Sequence, residues 1–295
     1  MNPASIPVDL ANPGQVFACL GLMEMTEVLS GPCLTRFNYQ GNEPECDFEL
    51  DAPKDCIDKA VRFLARCKVI ALVPPPILAG EPLSVAKWHV ETSTAAGSFF
   101  PGAPPNSPAT LPVRLSFGGF DIPVEHWLDD SRAGRDNMKF WAGAGGYPGA
   151  ALARDCVSLL SRFDDAALSR IALDPFAFSE PMDSSLRFDW RRDYIPLDAG
   201  FSPNDQPSVS MVGFPLVELL AAIGLQNARP ARLDARNKLA YRYFVSNTWL
   251  PLCLARAMLG AGISCFPVRA FRMNLGWPGK ENQARCIINA EEEQS

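Results

Sequence analysis

The sequence predicts an α+β fold, with mixed helices and mostly antiparallel sheets arranged in two portions. Three observations lead to this prediction. An apolar helix begins at a proline near the N-terminus, short strands are paired across turn residues, and helical and extended patterns alternate along the whole chain. With 295 residues, the chain exceeds the usual size of one domain and has enough apolar residues for a large core.

The first part of the chain shows the clearest elements. A helix is predicted to start at Asn12, because Asn is a good capping residue and Pro13 suits the first helical position. Gly31 is a natural end for this helix. The other elements predicted in this part are strands at residues 33–39, 46–50, 69–73, 111–117 and 122–127 and helices at residues 53–66 and 150–163.

The second part also mixes helices with strands. A boundary between the two parts is predicted near residues 180–205, where the pattern changes and a proline-rich loop is expected. The elements predicted here are strands at residues 185–194, 239–247 and 266–273 and helices at residues 214–223 and 250–259.

Charge is unevenly distributed along the chain. The net charge is −6, which on its own argues against nucleic-acid binding. Residues 1–60 contain three basic and ten acidic residues, whereas residues 185–280 contain twelve basic and six acidic residues. We therefore expect an acidic, protein-facing portion at 1–180, a basic, nucleic-acid-facing portion at 185–280 and an acidic tail at 281–295.

Signatures of common enzymes and metal sites are missing from the sequence. The nine cysteines never form a C-x-x-C pair, so neither a disulfide framework nor a zinc site is predicted. His89 and His126 are the only histidines, and no phosphate loop, nucleophile elbow or H-E-x-x-H helix occurs. We expect a non-catalytic protein without a metal or other cofactor. With no signal peptide or long apolar span, the expected location is cytoplasmic.

Two groups of carboxylates leave open the alternative of a site for a divalent metal ion. Asp129, Asp130 and Asp136 form one group, and Asp189 with Asp193 form the other. Carboxylates of this kind can hold a divalent ion. Arginines are interleaved with both groups, however, and salt-bridged surface loops are the competing interpretation.

Residues 187–194 combine arginines with aromatic residues. On a strand, alternate side chains point to opposite faces. One face would then carry Phe188, Trp190, Arg192 and Tyr194, and the other would carry Arg187, Asp189, Arg191 and Asp193. Such a face suits single-stranded nucleic acid, because arginines neutralise phosphates and aromatic rings stack on bases. A core-facing aromatic stripe with Arg192 at its edge is the other interpretation. The candidate nucleic-acid-binding residues are Lys139, Trp141, Arg187, Trp190, Arg191, Arg192, Arg232, Arg236, Lys238 and Arg242.

Three segments resemble a known protein family. They are VDLANPGQVFACLGLME at 8–24, KFWAG at 139–143 and FDWRRDY at 188–194. These segments are similar to the third Csb-type protein of type I-G (formerly I-U) CRISPR systems, and the similarity spans most of the chain. The resemblance implies a large-subunit-like component of the Cascade effector complex in antiviral defence. It also implies recognition of the DNA that flanks the target.

The resemblance further implies a set of partners. These are CRISPR RNA, target DNA, the other Cascade subunits and a separate helicase-nuclease that cleaves the DNA; no membrane is implied. In RNA-guided effectors, guide pairing reads the sequence while the protein holds backbones and reads a short flanking motif. The acidic total charge departs from this pattern and favours action inside an assembly.

Two alternative functions remain open from the sequence. One is a structural, backbone-type subunit related to RNA-recognition folds, which would contact guide RNA. The other is a metal-dependent nuclease that uses Asp129, Asp130 and Asp136.

Overall fold

The computed structural model describes residues 3–73, 89–94, 112–124, 149–193, 209–234, 236–237, 239–263, 265–276 and 285–293. Within these ranges the chain forms six helices and four mostly antiparallel sheets, which confirms the predicted α+β class. The helices are α1 (Pro13–Ser30), α2 (Cys56–Arg66), α3 (Gly149–Leu160), α4 (Asp165–Ile171), α5 (Pro215–Gly224) and α6 (Leu252–Ala261). None of these described helices is long and apolar enough to cross a membrane.

The strands are short and spread over the whole described chain. They are β1 (Ala4–Asp9), β2 (Leu34–Asn38), β3 (Glu45–Asp51), β4 (Lys68–Val73), β5 (Glu91–Thr94), β6 (Val113–Phe117), β7 (Phe120–Val124), β8 (Glu180–Met182), β9 (Met211–Gly213), β10 (Ala231–Arg232), β11 (Ala240–Val245), β12 (Leu250–Pro251), β13 (Arg269–Gly276) and β14 (Cys286–Glu292).

Helix α1 is buried on nearly all sides and forms the centre of the molecule. Its start follows from the sequence, since the Asn12 side chain accepts a hydrogen bond from the Gly14 amide and Pro13 occupies the first turn. Most of its residues up to Thr26 are buried. A helix that is apolar all round must be enclosed by other elements, and α1 contacts α2, α5 and α6.

The closest of these contacts joins α1 to α5. A Cβ atom built on Gly21 would lie 1.9 Å from the Leu220 carbonyl oxygen, and one built on Gly224 would lie 2.2 Å from the Phe17 carbonyl oxygen. Both distances are far shorter than van der Waals contact, so the two backbones meet where only glycine fits. This contact joins the N-terminal and C-terminal parts of the chain.

The first sheet has the strand order β1-β3-β2-β12, and all of its neighbours are antiparallel. Strands β1 and β2 are joined through α1 with β3 between them, which is the split β-α-β arrangement of ferredoxin-like folds. Its inner face packs on the core through residues such as Ile6 and Phe48. The predicted hairpin of residues 33–39 and 46–50 is confirmed as β2 and β3.

Two further four-stranded sheets complete the fold. The second has the order β5-β4-β6-β7, and its β6–β7 hairpin turns at Gly118 and Gly119, both of which have positive φ angles, as a two-residue hairpin loop requires. The third is the antiparallel sheet β10-β11-β13-β14. Strands β8 and β9 form a separate two-stranded ribbon.

The two predicted portions share one hydrophobic core. Tyr243 on β11 shows how they join: its ring stacks on Phe271 at 5.3 Å and meets Phe17 of α1 edge-on at 5.9 Å. Its hydroxyl donates a 2.6 Å hydrogen bond to the Leu10 carbonyl. The different roles assigned to residues 1–180 and 185–280 remain predictions, but the two portions are packed together.

Most elements predicted from the sequence in the described ranges are present. Two predictions are wrong. Residues 185–193 do not form a strand, and residues 286–292, which were expected within an acidic tail, form strand β14. Strand β1 and helix α4 were not predicted at all.

Candidate nucleic-acid interface

Residues 185–193 form an ordered loop, which we call the 185–193 loop. Arg187 has a positive φ angle of 65°, which an extended strand does not contain. The Asp189 side chain accepts a 2.9 Å hydrogen bond from the Arg191 amide, and this type of local bond favours a turn. Phe188 and Asp189 are both buried although they are adjacent, so the alternation expected of a strand does not hold.

Asp189 is a buried anchor of this loop. Its carboxylate is fully buried and accepts a 2.8 Å hydrogen bond from the Asn12 side chain, at the start of α1. Arg191 binds the same carboxylate with its Nε and Nη2 atoms, the latter at 2.6 Å. A buried carboxylate requires such partners, because an unpaired charge in the interior is strongly unfavourable.

Arg191 therefore has a structural role in the described chain. Besides Asp189, its Nη2 atom donates a 2.8 Å hydrogen bond to the Phe176 carbonyl. Its guanidinium lies 3.9 Å from the centre of the Phe214 ring. These contacts fix the guanidinium on three sides, so Arg191 is a poor candidate for phosphate binding, contrary to the expectation from the sequence.

Glu218, on the first turn of α5, is the second buried anchor. Its Oε1 atom accepts hydrogen bonds from the Phe188 amide at 3.1 Å, the Ser185 hydroxyl at 3.2 Å and the Asp189 amide at 3.4 Å. Its Oε2 atom is buried and has no hydrogen-bond partner among the described residues. Burial raises the pKa of Glu218 to about 7, although Arg192 acts in the opposite direction.

Trp190 is the aromatic residue that the loop presents to solvent. Its side chain is 40% exposed, while its indole Nε1 atom donates a 3.2 Å hydrogen bond to the Ala11 carbonyl. The flanking residue Asp189 is fixed by α1, and Asp193 is fixed by backbone and side-chain hydrogen bonds to Val212. The ring is thus held in place at one edge and accessible at its surface.

Arg187 and Arg192 lie close to one another in the same loop. Burial lowers the pKa of Arg187, and the charge of Arg192 lowers it further. The charge of Arg192 lies near the Cys286 thiol on β14 and partly offsets the rise that burial causes in the pKa of this thiol. The backbone connects at the same place, because the Ile287 amide donates a 3.2 Å hydrogen bond to the Arg187 carbonyl. The loop and the third sheet therefore form a continuous structure.

The other predicted residues that the structure describes lie on β10, on β11 and beside the turn at Asp234. Arg236 is exposed beside the turn at Asp234, and Arg232 is half-buried on β10. Arg242 on β11 forms a two-pronged ion pair with Glu293, so its charge is already neutralised by the segment expected to be a free tail. Lys139, Trp141 and Lys238 lie outside the described residues.

Sequence reasoning missed the polar face of the third sheet. Arg272 on β13 stands directly across from Arg242 on β11, and Asn274 stands across from Asn289 on β14. The alternation of buried and polar residues along 269–276 was the available signal, because it places Arg272 and Asn274 on one face.

Metal ligands are not gathered anywhere in the described ranges, where no group of three His, Cys, Asp or Glu side chains could hold an ion. Asp189 belongs to the ion pair with Arg191 instead. Asp129, Asp130 and Asp136 lie outside those ranges. Burial raises the pKa of Cys33, Cys46 and Cys67 to about 12, so these thiols remain protonated at neutral pH.

Comparison of the chain with protein-family models, with curated proteins and with solved structures found no match.

Proposed function

We propose that this chain is a non-catalytic, nucleic-acid-binding subunit of a type I CRISPR RNA-guided DNA-targeting (Cascade) complex. In this role it contacts guide RNA or target DNA and takes part in recognising the motif that flanks the target. The complex acts in the cytoplasm, where a separate helicase-nuclease cleaves the DNA. The proposal rests on the resemblance of residues 8–24, 139–143 and 188–194 to the third Csb-type protein.

The observation that carries the proposal is the way Trp190 is held. Single-stranded nucleic acids are bound by aromatic rings that stack on bases and by nearby cations that bind phosphates. Trp190 meets the first requirement, because its ring is accessible while its indole nitrogen is fixed to the Ala11 carbonyl. Arg192, two residues further on, is the nearest cation in the sequence that is not held by the Asp189 carboxylate, and its charge acts on Cys286 and Glu218. A rigidly held ring loses little conformational entropy on binding.

The loop also has more support than an ordinary surface turn needs. Two buried carboxylates, Asp189 and Glu218, accept its amides and side chains. Gly14 lets the loop approach α1, since a Cβ atom at that position would lie 2.6 Å from the Phe188 carbonyl oxygen. Such rigid support is what a binding residue requires in order to meet its ligand with a fixed geometry.

The alternative of a backbone-type RNA-binding subunit is favoured by one observation, the split β-α-β arrangement of β1, α1, β3 and β2. RNA-recognition folds bind bases through aromatic residues on the open face of such a sheet. On this chain the corresponding face carries Asp9, Glu45 and Asp47 on β1 and β3, while Glu49 on the same face is paired with Arg36 of β2. RNA binding on that face is therefore disfavoured, and the 185–193 loop is the better candidate.

The proposal is tested by co-expressing the full chain with the neighbouring genes of its operon and purifying through a tag on this chain. We expect a stable complex that contains RNA of defined length in a fixed ratio to the protein. A chain that purifies alone, without protein partners or RNA, would contradict the proposal.

The nuclease alternative needs its own experiment. Pure protein is incubated with labelled DNA and either magnesium or manganese ions. The proposal predicts no cleavage, whereas metal-dependent cleavage that Asp130→Ala abolishes would establish the nuclease instead.

A further inference from the structure

We infer that the outer face of the third sheet is a second binding surface for the sugar-phosphate backbone of a single nucleic-acid strand. In the unbound chain, the Glu293 carboxylate occupies the position on Arg242 that a phosphate would take, and Glu291 lies across from Arg272 on the neighbouring strand. We call this surface the β13 track, and define it by Arg242, Arg272, Asn274 and Asn289. The inference rests on the proposed function, because it extends the interface around Trp190.

The register of the third sheet places these polar residues on one face. Arg242 on β11 stands opposite Arg272 on β13, and Arg272 stands opposite Glu291 on β14. The alternate residues, which include Tyr243, Phe271 and Met273, are buried in the core. The track therefore faces away from the core, and the Arg272 side chain is exposed.

The track offers the hydrogen-bond donors that a phosphate backbone requires. Arg242 and Arg272 form a pair of guanidinium groups on neighbouring strands. The side-chain Nδ2 atom of Asn274 donates a 2.9 Å hydrogen bond to Oδ1 of Asn289, and this pair is exposed. The Nδ2 atom of Asn289 is not used in this bond and can donate to a ligand. Guanidinium groups and side-chain amides are common phosphate ligands that carry no base preference.

One ion pair neutralises part of this surface in the unbound chain, and it involves Glu293, the residue that follows β14. The Glu293 carboxylate binds both Nε and Nη2 of Arg242. Glu291 lies directly opposite Arg272, a position where opposite charges attract. A two-pronged carboxylate on an arginine has the geometry of a phosphate bound there. Glu293 thus competes with any polyanion for Arg242, and the charge of Glu291 opposes the approach of a polyanion to Arg272.

The track continues toward the 185–193 loop. Cys286, which lies near the charge of Arg192, is paired with Gly276, four residues beyond Arg272 on β13. Four residues of a strand span about 13 Å. The charge of Arg192 thus lies near Cys286 at one end of the β13–β14 pair, and the asparagine pair lies between Cys286 and Arg272 in the register of these strands. A strand of nucleic acid that stacks a base on Trp190 could extend its backbone along the β13 track.

The test is the binding of a fluorescein-labelled, unstructured single-stranded oligonucleotide to the isolated full chain, measured by fluorescence anisotropy at several salt concentrations. Replacing both glutamates, with Glu291→Gln and Glu293→Gln, is expected to tighten binding roughly tenfold or more. If two more phosphates are engaged, the slope of log K against log salt steepens by about 1.4, since each contact on single strands contributes about 0.7.

A charge-matched control separates a local effect from a change in net charge. Glu45→Gln with Asp47→Asn removes the same charge from exposed positions on β3, on the first sheet. This control is expected to change the affinity much less. Adding Arg272→Ala to the glutamate variant is expected to remove the gain. Circular dichroism of each variant establishes that it is folded.

Three results would overturn the inference: no gain in affinity, an equal gain in the charge-matched control, or a gain that survives Arg272→Ala. Failure of the proposed function looks different. In that case the chain does not assemble with RNA, whatever the glutamate variants do in isolation. Conversely, an assembled complex that depends on Trp190, combined with no effect at Glu291 and Glu293, would remove the track and leave the proposed function standing.

Discussion

Asn12 and Asp189 are 177 residues apart in the sequence and are joined by a 2.8 Å hydrogen bond from Asn12 Nδ2 to Asp189 Oδ1. Both side chains are fully buried. The same asparagine caps α1, because its oxygen accepts the Gly14 amide at 3.1 Å. One side chain therefore starts the central helix and fixes the loop that presents Trp190.

The first prediction concerns this shared residue. Asn12→Ala removes the helix cap, which contributes about 1 kcal/mol, and a hydrogen bond to a buried carboxylate, which contributes about 1.5–3 kcal/mol. We expect the free energy of unfolding to fall by about 2.5–4 kcal/mol in urea denaturation. Asp164→Ala is the matched control, since Asp164 caps α4 through an exposed bond to the Ala167 amide. An equal decrease in the free energy of unfolding for the two variants would mean that the hydrogen bond from Asn12 to Asp189 does not stabilise the fold.

The second prediction is that Arg191 stabilises the fold. Arg191→Ala leaves the Asp189 carboxylate buried without its ion-pair partner, so we expect a loss of about 3–5 kcal/mol. Asp189→Asn in the same chain should restore part of that loss, because the neutral amide no longer needs a cation. Urea denaturation of the two single variants and the double variant measures this coupling. Additive losses would contradict the structural role of the pair.

The third prediction concerns the buried carboxyl of Glu218, whose pKa is raised from 4.5 to about 7 in the folded chain. Because the folded state binds this proton more tightly than the unfolded state, its contribution to stability is complete below about pH 4.5 and is lost as the pH rises through about 7. Glu218→Gln removes this dependence. Between about pH 5 and about pH 8, the native chain should lose on the order of 2–3 kcal/mol more than the variant. If the free energy of unfolding changes equally with pH in the native chain and in Glu218→Gln, the pKa of Glu218 is not raised by folding.

The fourth prediction tests the contact between α1 and α5. Gly21→Ala places a methyl group against the Leu220 carbonyl, and overpacking of this kind costs at least about 2 kcal/mol. Gly276→Ala is the comparison, because its nearest neighbour is a methyl group of Ile288 at 3.2 Å, which can move. Thermal unfolding of the two variants should show a much larger drop in Tm for Gly21→Ala. A similar decrease in Tm for the two variants would mean that α1 and α5 can move apart without a loss of stability.

Local signals in the sequence predicted most of the described fold. Asn12 and Pro13 marked the start of α1, and the Gly118-Gly119 pair marked the β6–β7 hairpin, because cap and turn chemistry depends on neighbouring residues only. The 185–193 loop was missed for the opposite reason. Its shape depends on Asn12 and Glu218, which are distant in the sequence and become neighbours only when α1 and α5 pack together.

The candidate site was predicted in part. Trp190 lies at an accessible surface, as one interpretation of the sequence required, whereas Arg191 is committed to Asp189 and Arg242 to Glu293. No local pattern reveals that a guanidinium has an acidic partner elsewhere in the chain. Strand β14 was missed because the three successive glutamates at 291–293, at its end, resemble a solvated tail, although Glu292 and Glu293 pair with arginines of neighbouring strands.

The fifth prediction tests the central claim most directly. The dissociation constant of the assembled complex for a single strand of target DNA is measured with the native chain, with Trp190→Ala and with Trp190→Phe. Loss of stacking costs about 1–3 kcal/mol per base, so Trp190→Ala should weaken binding roughly fivefold to a hundredfold. Trp190→Phe keeps a stacking ring but loses the bond to the Ala11 carbonyl that holds it, so its affinity should lie between those of the native chain and Trp190→Ala. If Trp190→Ala assembles normally and binds as tightly as the native chain, Trp190 does not contact nucleic acid and the proposed interface is wrong.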